Sequence, residues 1–227
     1  ITANPALGIA SDMIVDHGGS SILSETPEIY GAEHLLFERS LNKLNIDKIE
    51  KQLQWWKDYL LKNGSTMDNN PSPGNKRGGL TTILEKSLGA VAKSGTRKMV
   101  DVLDYAEKLK VKGFNFMNSP GYDPVSVTGQ VASGANIICF TTGRGSCFGF
   151  KPTPSIKIAT NTNMFNKLKE DMDINAGSIM DNEKSLDEVG KEIIDKIISV
   201  ASGEKSKSEI NEYGDDEFNP WIIDPTL

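Results

Sequence analysis

The chain has few of the residues on which several kinds of site depend. In 227 residues it has two cysteines, Cys139 and Cys147, and two histidines, His17 and His34. Two thiols cannot build a disulfide framework, and Cys139 lies in an apolar run as a buried thiol would, so a reducing, cytoplasmic setting is expected. No CxxC pair, HExxH helix or GxSxG elbow occurs, so the usual signatures of thiolate-zinc, zincin and hydrolase sites are missing. Glycine is plentiful, yet no Walker A segment and no GxGxxG opens a strand–helix turn. Thr142-Gly143-Arg144-Gly145-Ser146 has too few glycines at the needed spacing for a dinucleotide fingerprint. Basic residues are outnumbered, 25 Lys and Arg against 31 Asp and Glu, for a net charge of −6. That balance argues against a nucleic-acid partner, which needs a basic face. No run approaches the ~20 apolar residues of a membrane span, and no signal peptide is expected.

What remains is the composition of an ordinary globular chain, 37% hydrophobic and 25% charged. The first residue is Ile1, not Met, and 2–5 (TANP) reads as a turn and helix start, so a fragment of a longer protein is expected. Helices and strands alternate with short loops, the pattern of an α/β domain. Asn4 as N-cap and Pro5 at the first helical position open a helix to about Asp16, stopped by Gly18 and Gly19. Residues 20–24 read as a strand, and Thr26 and Pro27 as the cap and opening of a helix carrying Glu28, Glu33 and His34. The plainest helical period lies at 46–62, with Ile46, Ile49, Leu53, Trp56 and Leu60 in register. A second helix is expected at 80–93, with Leu84, Leu88 and Val91 on one face. Strands are expected at 98–103, 113–117, from Ile137, at 155–160 and at 171–175, and helices at 125–133, 164–169 and 186–201. The last buries Leu186, Val189, Ile193, Ile197 and Ile198. The apolar end, with Phe218, Trp221 and Ile222, is expected to dock on the body or on a partner, which leaves a homo-oligomer open. The expected fold is a three-layer αβα, Rossmann-like single domain over 1–227 with a mostly parallel sheet.

The chemistry gathers at element ends. Segment 136–161 (NIICFTTGRGSCFGFKPTPSIKIATN) places Thr141, Thr142, Gly143, Arg144 and Lys151 in a loop between two strand-like runs. In an open α/β sheet, a polar loop leaving the C-terminal end of a buried strand is where ligands sit. Hydroxyls, free N–H groups and cations there suit a carboxylate or a phosphate. Segment 65–79 (STMDNNPSPGNKRGG) is dense in Asx and Pro, which favours defined turns. Its Asp68, Asn70, Asn75 and Lys76 could ligate a hard cation or orient a hydroxylated substrate. Carboxylates at other ends, among them Glu25, Glu28, Glu33, Glu85, Asp123 and Asp173, with an imidazole, suit Mg²⁺, Mn²⁺ or Fe²⁺ better than zinc. Cations such as Lys86 and Arg144 beside a divalent metal suit a reaction that develops enolate-like charge next to a carboxylate.

Eight segments together resemble a known family: 1–8 (ITANPALG), 24–34 (SETPEIYGAEH), 69–76 (NNPSPGNK), 79–89 (GLTTILEKSLG), 119–129 (SPGYDPVSVTG), 140–146 (FTTGRGS), 154–161 (PSIKIATN) and 171–175 (DMDIN). Long and in the expected order, they are similar to the C-terminal domain of the altronate dehydratase / galactarate dehydratase family of sugar-acid dehydratases, over essentially the whole chain. The resemblance implies an N-terminal and a middle domain outside this chain. It also implies a lyase assisted by Fe²⁺ or Mn²⁺ that removes water from an aldonic or aldaric acid to give a 2-keto-3-deoxy acid. Sulfolactate sulfo-lyase large subunits look similar and eliminate sulfite instead. A reading of another class is a scaffold or oligomerisation domain whose catalytic residues lie elsewhere. On the dehydratase reading Glu25 and Glu33 are metal or acid/base carboxylates, with His34 a further metal ligand. Asn70, Asn75 and Lys76 bind substrate hydroxyls or carboxylate, and Lys86 lines the same cleft. Arg144 clamps the carboxylate, with Thr141, Thr142 and Gly143 beside it. The isolated fragment is expected to fold without activity, because such sites are shared between domains.

Overall fold

The computed structural model describes residues 1–67 and 82–223. In chain order the elements are α1 (Ala3–Asp16), β1 (Ser21–Leu23), a 3₁₀ turn (Thr26–Glu28), α2 (His34–Phe37), α3 (Lys43–Lys62), α4 (Ile83–Ala92), β2 (Met99–Leu103), β3 (Phe114–Met117), α5 (Asp123–Ser133), β4 (Ile138–Thr142), β5 (Ser155–Ala159), α6 (Thr162–Lys167), β6 (Ile174–Asn175), a second 3₁₀ turn (Ala176–Ile179), α7 (Leu186–Ala201) and α8 (Lys207–Ile210). Every strand pair is parallel. The strands form two three-stranded sheets, ordered β1-β3-β2 and β4-β5-β6. The expected mostly parallel sheet is therefore two short ones, flanked by helices in a three-layer αβα arrangement.

Each sheet is built around its middle strand. All four residues of β3 are buried, and Phe114 and Phe116 pack with Ile49, Leu53 and Trp56 of α3. All five residues of β5 are buried, with Ile156 and Ile158 against α1 and α7. Burial on both faces is the usual mark of a parallel sheet under two helical layers, although β3 and β5 each bury polar residues, Asn115 in one and Ser155 and Lys157 in the other. The small side chains of α1, Ala3, Ala6, Ala10 and Gly8, are buried. They let two neighbours come close: a Cβ on Gly8 would meet Ala92 O at 2.2 Å, and one on Gly190 would meet Ile9 at 2.7 Å. Helix α7 starts with a full capping box between Ser185 and Glu188.

Helix α5 joins the two halves. Near its start, Ser126 meets Ser24 just past β1 (Oγ···Oγ 2.7 Å). At its end, Ser133 O accepts a bond from Leu109 N, ahead of β3. The helix thus returns the chain to the starting level of β3 before β4 begins.

Several sequence expectations shift. Helix α1 is preceded by Thr2, without a side-chain cap; Asn4 instead donates its amide to Gly89 O at 2.9 Å, tying α4 down. No continuous helix follows Thr26. Its hydroxyl donates to Asn118 Oδ1 at 2.6 Å rather than capping, and only a 3₁₀ turn and the four-residue α2 form. On α4, Leu84 and Leu88 are 46% and 43% exposed while Ser87, Ala90 and Val91 are buried. The close approach at Gly8 selects the small face. Ile198 of α7 is likewise exposed. Strand β6 has only two residues because Asp173 spends its carboxylate on the backbone N–H groups of Lys157 and Lys207. The apolar end docks in part: Trp221 stacks on Trp56 at 5.2 Å, whereas Phe218 and Ile222 stay exposed.

Candidate functional site

The C-terminal ends of β1 and β4 open into one cleft of about 1920 Å³, ample for a six-carbon acid. One wall holds Glu25, Glu28, Lys86, Lys93 and Asp123; the other holds Thr141, Thr142, Gly143 and Arg144, with Thr160 and Asn161 beside them.

The first wall starts from an unusual backbone. Glu25 sits at φ 76°, ψ 72°, the left-handed region that costs a residue with a Cβ about 1–3 kcal/mol. Three bonds hold it: Glu25 N–H donates to Ser119 Oγ at 3.0 Å, Thr26 N–H to Ser119 O at 3.0 Å, and Glu28 N–H to Glu25 O at 2.9 Å. Asn118 supports the corner from beneath, accepting from Thr26 Oγ1 (2.6 Å) and Trp56 Nε1 (3.0 Å). A hydroxyl cluster of Ser24, Ser119 and Ser126, with Gln130 donating to Ser24 at 2.6 Å, completes the support.

The two glutamates are pushed apart in acidity. Burial, reinforced by the neighbouring Glu28 and Asp123 charges, holds the Glu25 carboxyl well above the usual carboxylate range. Burial also acts on Glu28, but the ammonium groups of Lys93 and Lys86 outweigh it and hold that carboxyl below its ordinary value. Lys86 Nζ lies 2.6 Å from Glu28 Oε1, with both side chains less than one-fifth exposed. The opposite shifts favour a proton on Glu25 over one on Glu28. Two carboxyls in one cleft with acidities forced apart have the chemistry that a general acid and a general base need. Asp123 is raised as well, by burial and then by Glu28.

The second wall is a turn of backbone and hydroxyls. Gly145 N–H donates to Thr142 Oγ1 at 3.2 Å, and Asn161 donates its amide to Gly143 O at 3.1 Å. Gly145 has a positive φ of 95°, and a Cβ on it would clash with Leu168 at 2.1 Å. The Thr142 hydroxyl thus builds the loop, and Arg144, exposed at its tip, faces the cleft.

Of the residues singled out in the sequence, the structure brings Glu25, Lys86, Thr141, Thr142, Gly143 and Arg144 to this one cleft. It does not bring Glu33 and His34 there. Glu33 turns back to accept from Gly31 N–H at 2.5 Å, and His34 is exposed at the start of α2. Among the described residues no group of three His, Cys, Asp or Glu could hold a metal ion, so Glu25, Glu33 and His34 do not form one. Asn70, Asn75 and Lys76 lie outside the described residues. Lys151 pairs with Asp215 at 2.5 Å instead of serving the loop. Sequence reasoning passed over Lys93, Asn118 and Ser119. Asn118 and Ser119 stand directly after the buried β3, the position where polar residues of parallel sheets meet ligands, and that signal was available.

An α/β domain that gathers two carboxyls of split acidity, two lysines and an arginine-bearing hydroxyl loop in one cleft has groups suited to a small polar acid. Comparison with known proteins narrows this. Residues 1–226 match the model of the D-galactarate/altronate dehydratase C-terminal family, and the chain belongs to that family. It is 41% identical over 214 residues to an altronate dehydratase of Bacillus subtilis (strain 168), covering 94% of this chain and 43% of the relative. It is 42% identical over 205 residues to the L-threo-forming galactarate dehydratase of Escherichia coli (strain K12), covering 90% of this chain and 39% of the relative. The subunit beta of the (2R)-sulfolactate sulfo-lyase of Chromohalobacter salexigens is 33% identical over 214 residues, with 91% of this chain and 54% of that subunit covered. The chain thus spans less than half the length of the dehydratases it matches. No helix among the described residues is long and apolar enough to cross a membrane.

Proposed function

We propose that residues 1–227 form the C-terminal catalytic-type domain of a sugar-acid dehydratase, which removes water from an aldonic or aldaric acid to give a 2-keto-3-deoxy acid. The observation that carries this reading is the Glu25–Glu28 pair, split in acidity by Lys86 and Lys93 and set in one cleft with Arg144.

Arg144 takes the substrate carboxylate through its guanidinium fork, with the Thr141 hydroxyl and the turn N–H groups beside it. Ionised Glu28 accepts the proton from the carbon next to that carboxylate. The developing enediolate charge is met by the ammonium groups of Lys86 and Lys93. Protonated Glu25 gives its proton to the departing β-hydroxyl, which leaves as water. The enol so formed tautomerises to the 2-keto acid, taking a proton at the β-carbon. A bound Fe²⁺ or Mn²⁺ would supply Lewis-acid stabilisation of the same charge. The described residues offer no three-ligand set for it, and Lys86 and Lys93 already face Glu28 and Asp123. Ligands would have to come from outside them, so no step is assigned to the ion.

The test is turnover of the full-length polypeptide on altronate, galactarate and sulfolactate under anaerobic Fe²⁺. Glu28→Gln and Arg144→Ala should each lose at least about 10²-fold in kcat/KM, Arg144→Ala mainly through KM. Activity on none of the three acids, or full activity of both variants, would remove the reading. The sulfo-lyase relative supports a second reading, in which sulfite leaves instead of water; release of sulfite from sulfolactate alone would decide for it.

A further inference from the structure

The two sheets face each other through their bare edges. β1 pairs only with β3, and β4 only with β5, among the described residues. Ser21 N–H donates to Gly113 O at 3.1 Å, so alternation along a parallel strand turns the N–H and C=O of Ile22 away from β3. Ile138 N–H donates to Pro154 O at 2.9 Å, so Cys139 and Thr141 turn theirs away from β5 in the same manner. Both rows of groups border the lower part of the cleft described above, which Leu7, Ile14, Val127 and Ile137 also line.

The four sheet edges are treated differently. Outer strand β2 carries Asp101 and a shift in register, and outer strand β6 is only two residues long. A charge, a bulge and shortness are the devices by which proteins protect free edges. The inner edges, SIL and ICFTT, carry no charge, no proline and no bulge. They are also roofed on both faces. Above, α1 reaches both sheets, with Ser11 Oγ donating to Ser21 Oγ at 2.8 Å and Ala6 and Ala10 packed with Ile156 and Ile158. Below, α5 reaches both, through Gln130 to Ser24 and Val127 to Ile138. A gap between two helical layers, bordered on both sides by strand edges with unpaired backbone among the described residues, is the shape of a missing strand. Ile22, Cys139 and Thr141, which carry these groups, are half-buried along the cleft.

We infer that one extended segment, from the part of the full-length polypeptide outside 1–227, inserts between β1 and β4 and joins the two sheets into one of seven strands. The dehydratases this chain matches are more than twice its length, so such a segment is available: 43% of the Bacillus subtilis relative is covered. Pairing with both edges places β1 and β4 about 9.5 Å apart, two ladder spacings. The inserted strand spans about five residues, matching β4, and is apolar on both faces, without proline. Its end would then lie between the Glu25 wall and the Arg144 wall, so residues from outside this chain complete the cleft. The inference does not depend on which acid is the substrate.

The test is amide hydrogen exchange, read by NMR at single residues of the full-length polypeptide. Ser21, Leu23, Ile138 and Phe140, whose N–H groups point into their own sheets, are internal controls. Ile22, Cys139 and Thr141 should exchange as slowly as these controls, at least about 10³-fold below the rate of free amides. Exchange of those three within about 10-fold of free amides, while the controls stay protected, would overturn the insertion. Protection that vanishes on dilution to single copies would also overturn it, because the occupant would then be a second copy of the chain.

Discussion

Replacing Lys86 by Met tests the electrostatics of the cleft. Lys86 and Glu28 contact at 2.6 Å, with side chains 19% and 14% exposed. Removing one partner of a fully buried pair costs about 3–5 kcal/mol, because the other charge is left uncompensated. This pair is slightly open to water and Lys93 still faces Glu28, so a loss of about 2–3 kcal/mol at pH 8 is expected. The pH dependence carries the sharper test. In the native protein Glu28 lies below its ordinary value, so its ionised form adds stability that is lost as pH falls through its folded pKa. In the variant, burial acts with less opposition and the folded pKa rises. Stability then declines as pH climbs from the unfolded pKa through this higher one. The difference between the two proteins should therefore shrink to under about 1 kcal/mol near pH 4.5 and widen to its full value by pH 8. Urea denaturation at a series of pH values measures it. A difference that is flat from pH 4.5 to 8 would refute the assigned charge states.

Other outcomes follow from single features. Glu25→Gly relieves a left-handed φ of 76° and should leave stability unchanged or raised by about 1 kcal/mol while turnover of the full-length polypeptide falls at least about 10²-fold, a separation that denaturation and kinetics together reveal. With a thiol reagent at pH 8, Cys147, which is exposed, should react quickly and Cys139 slowly, since burial and the nearby Asp173 push the Cys139 thiol up to about 12. Trp221→Ala should cost about 2–3 kcal/mol and change the near-ultraviolet circular dichroism, because Trp221 packs against Trp55, Trp56 and Tyr105.

The sequence by itself determined which segments are regular and where polar loops leave them. Helix 186–201 and strands 138–142 and 155–159 are legible from local information: a capping box at Ser185, a period of 3.6, and short β-branched runs bounded by Gly and Pro. Arg144 and its threonines stood out because a polar loop after a buried strand is a local pattern. What only tertiary structure decided are relations between distant segments. Ser119 holds the backbone of Glu25 from 94 residues away and Asn118 holds the Thr26 hydroxyl from 92, and those contacts turn an expected helix into a strained corner. Lys93 becomes part of the cleft only because small residues let α4 settle on α1. Acidity follows the same rule: Glu25 and Glu28 are identical side chains three positions apart. One carboxyl is pushed up and the other down because burial and the placement of two lysines differ between them, and neither quantity is a property of the chain before it folds.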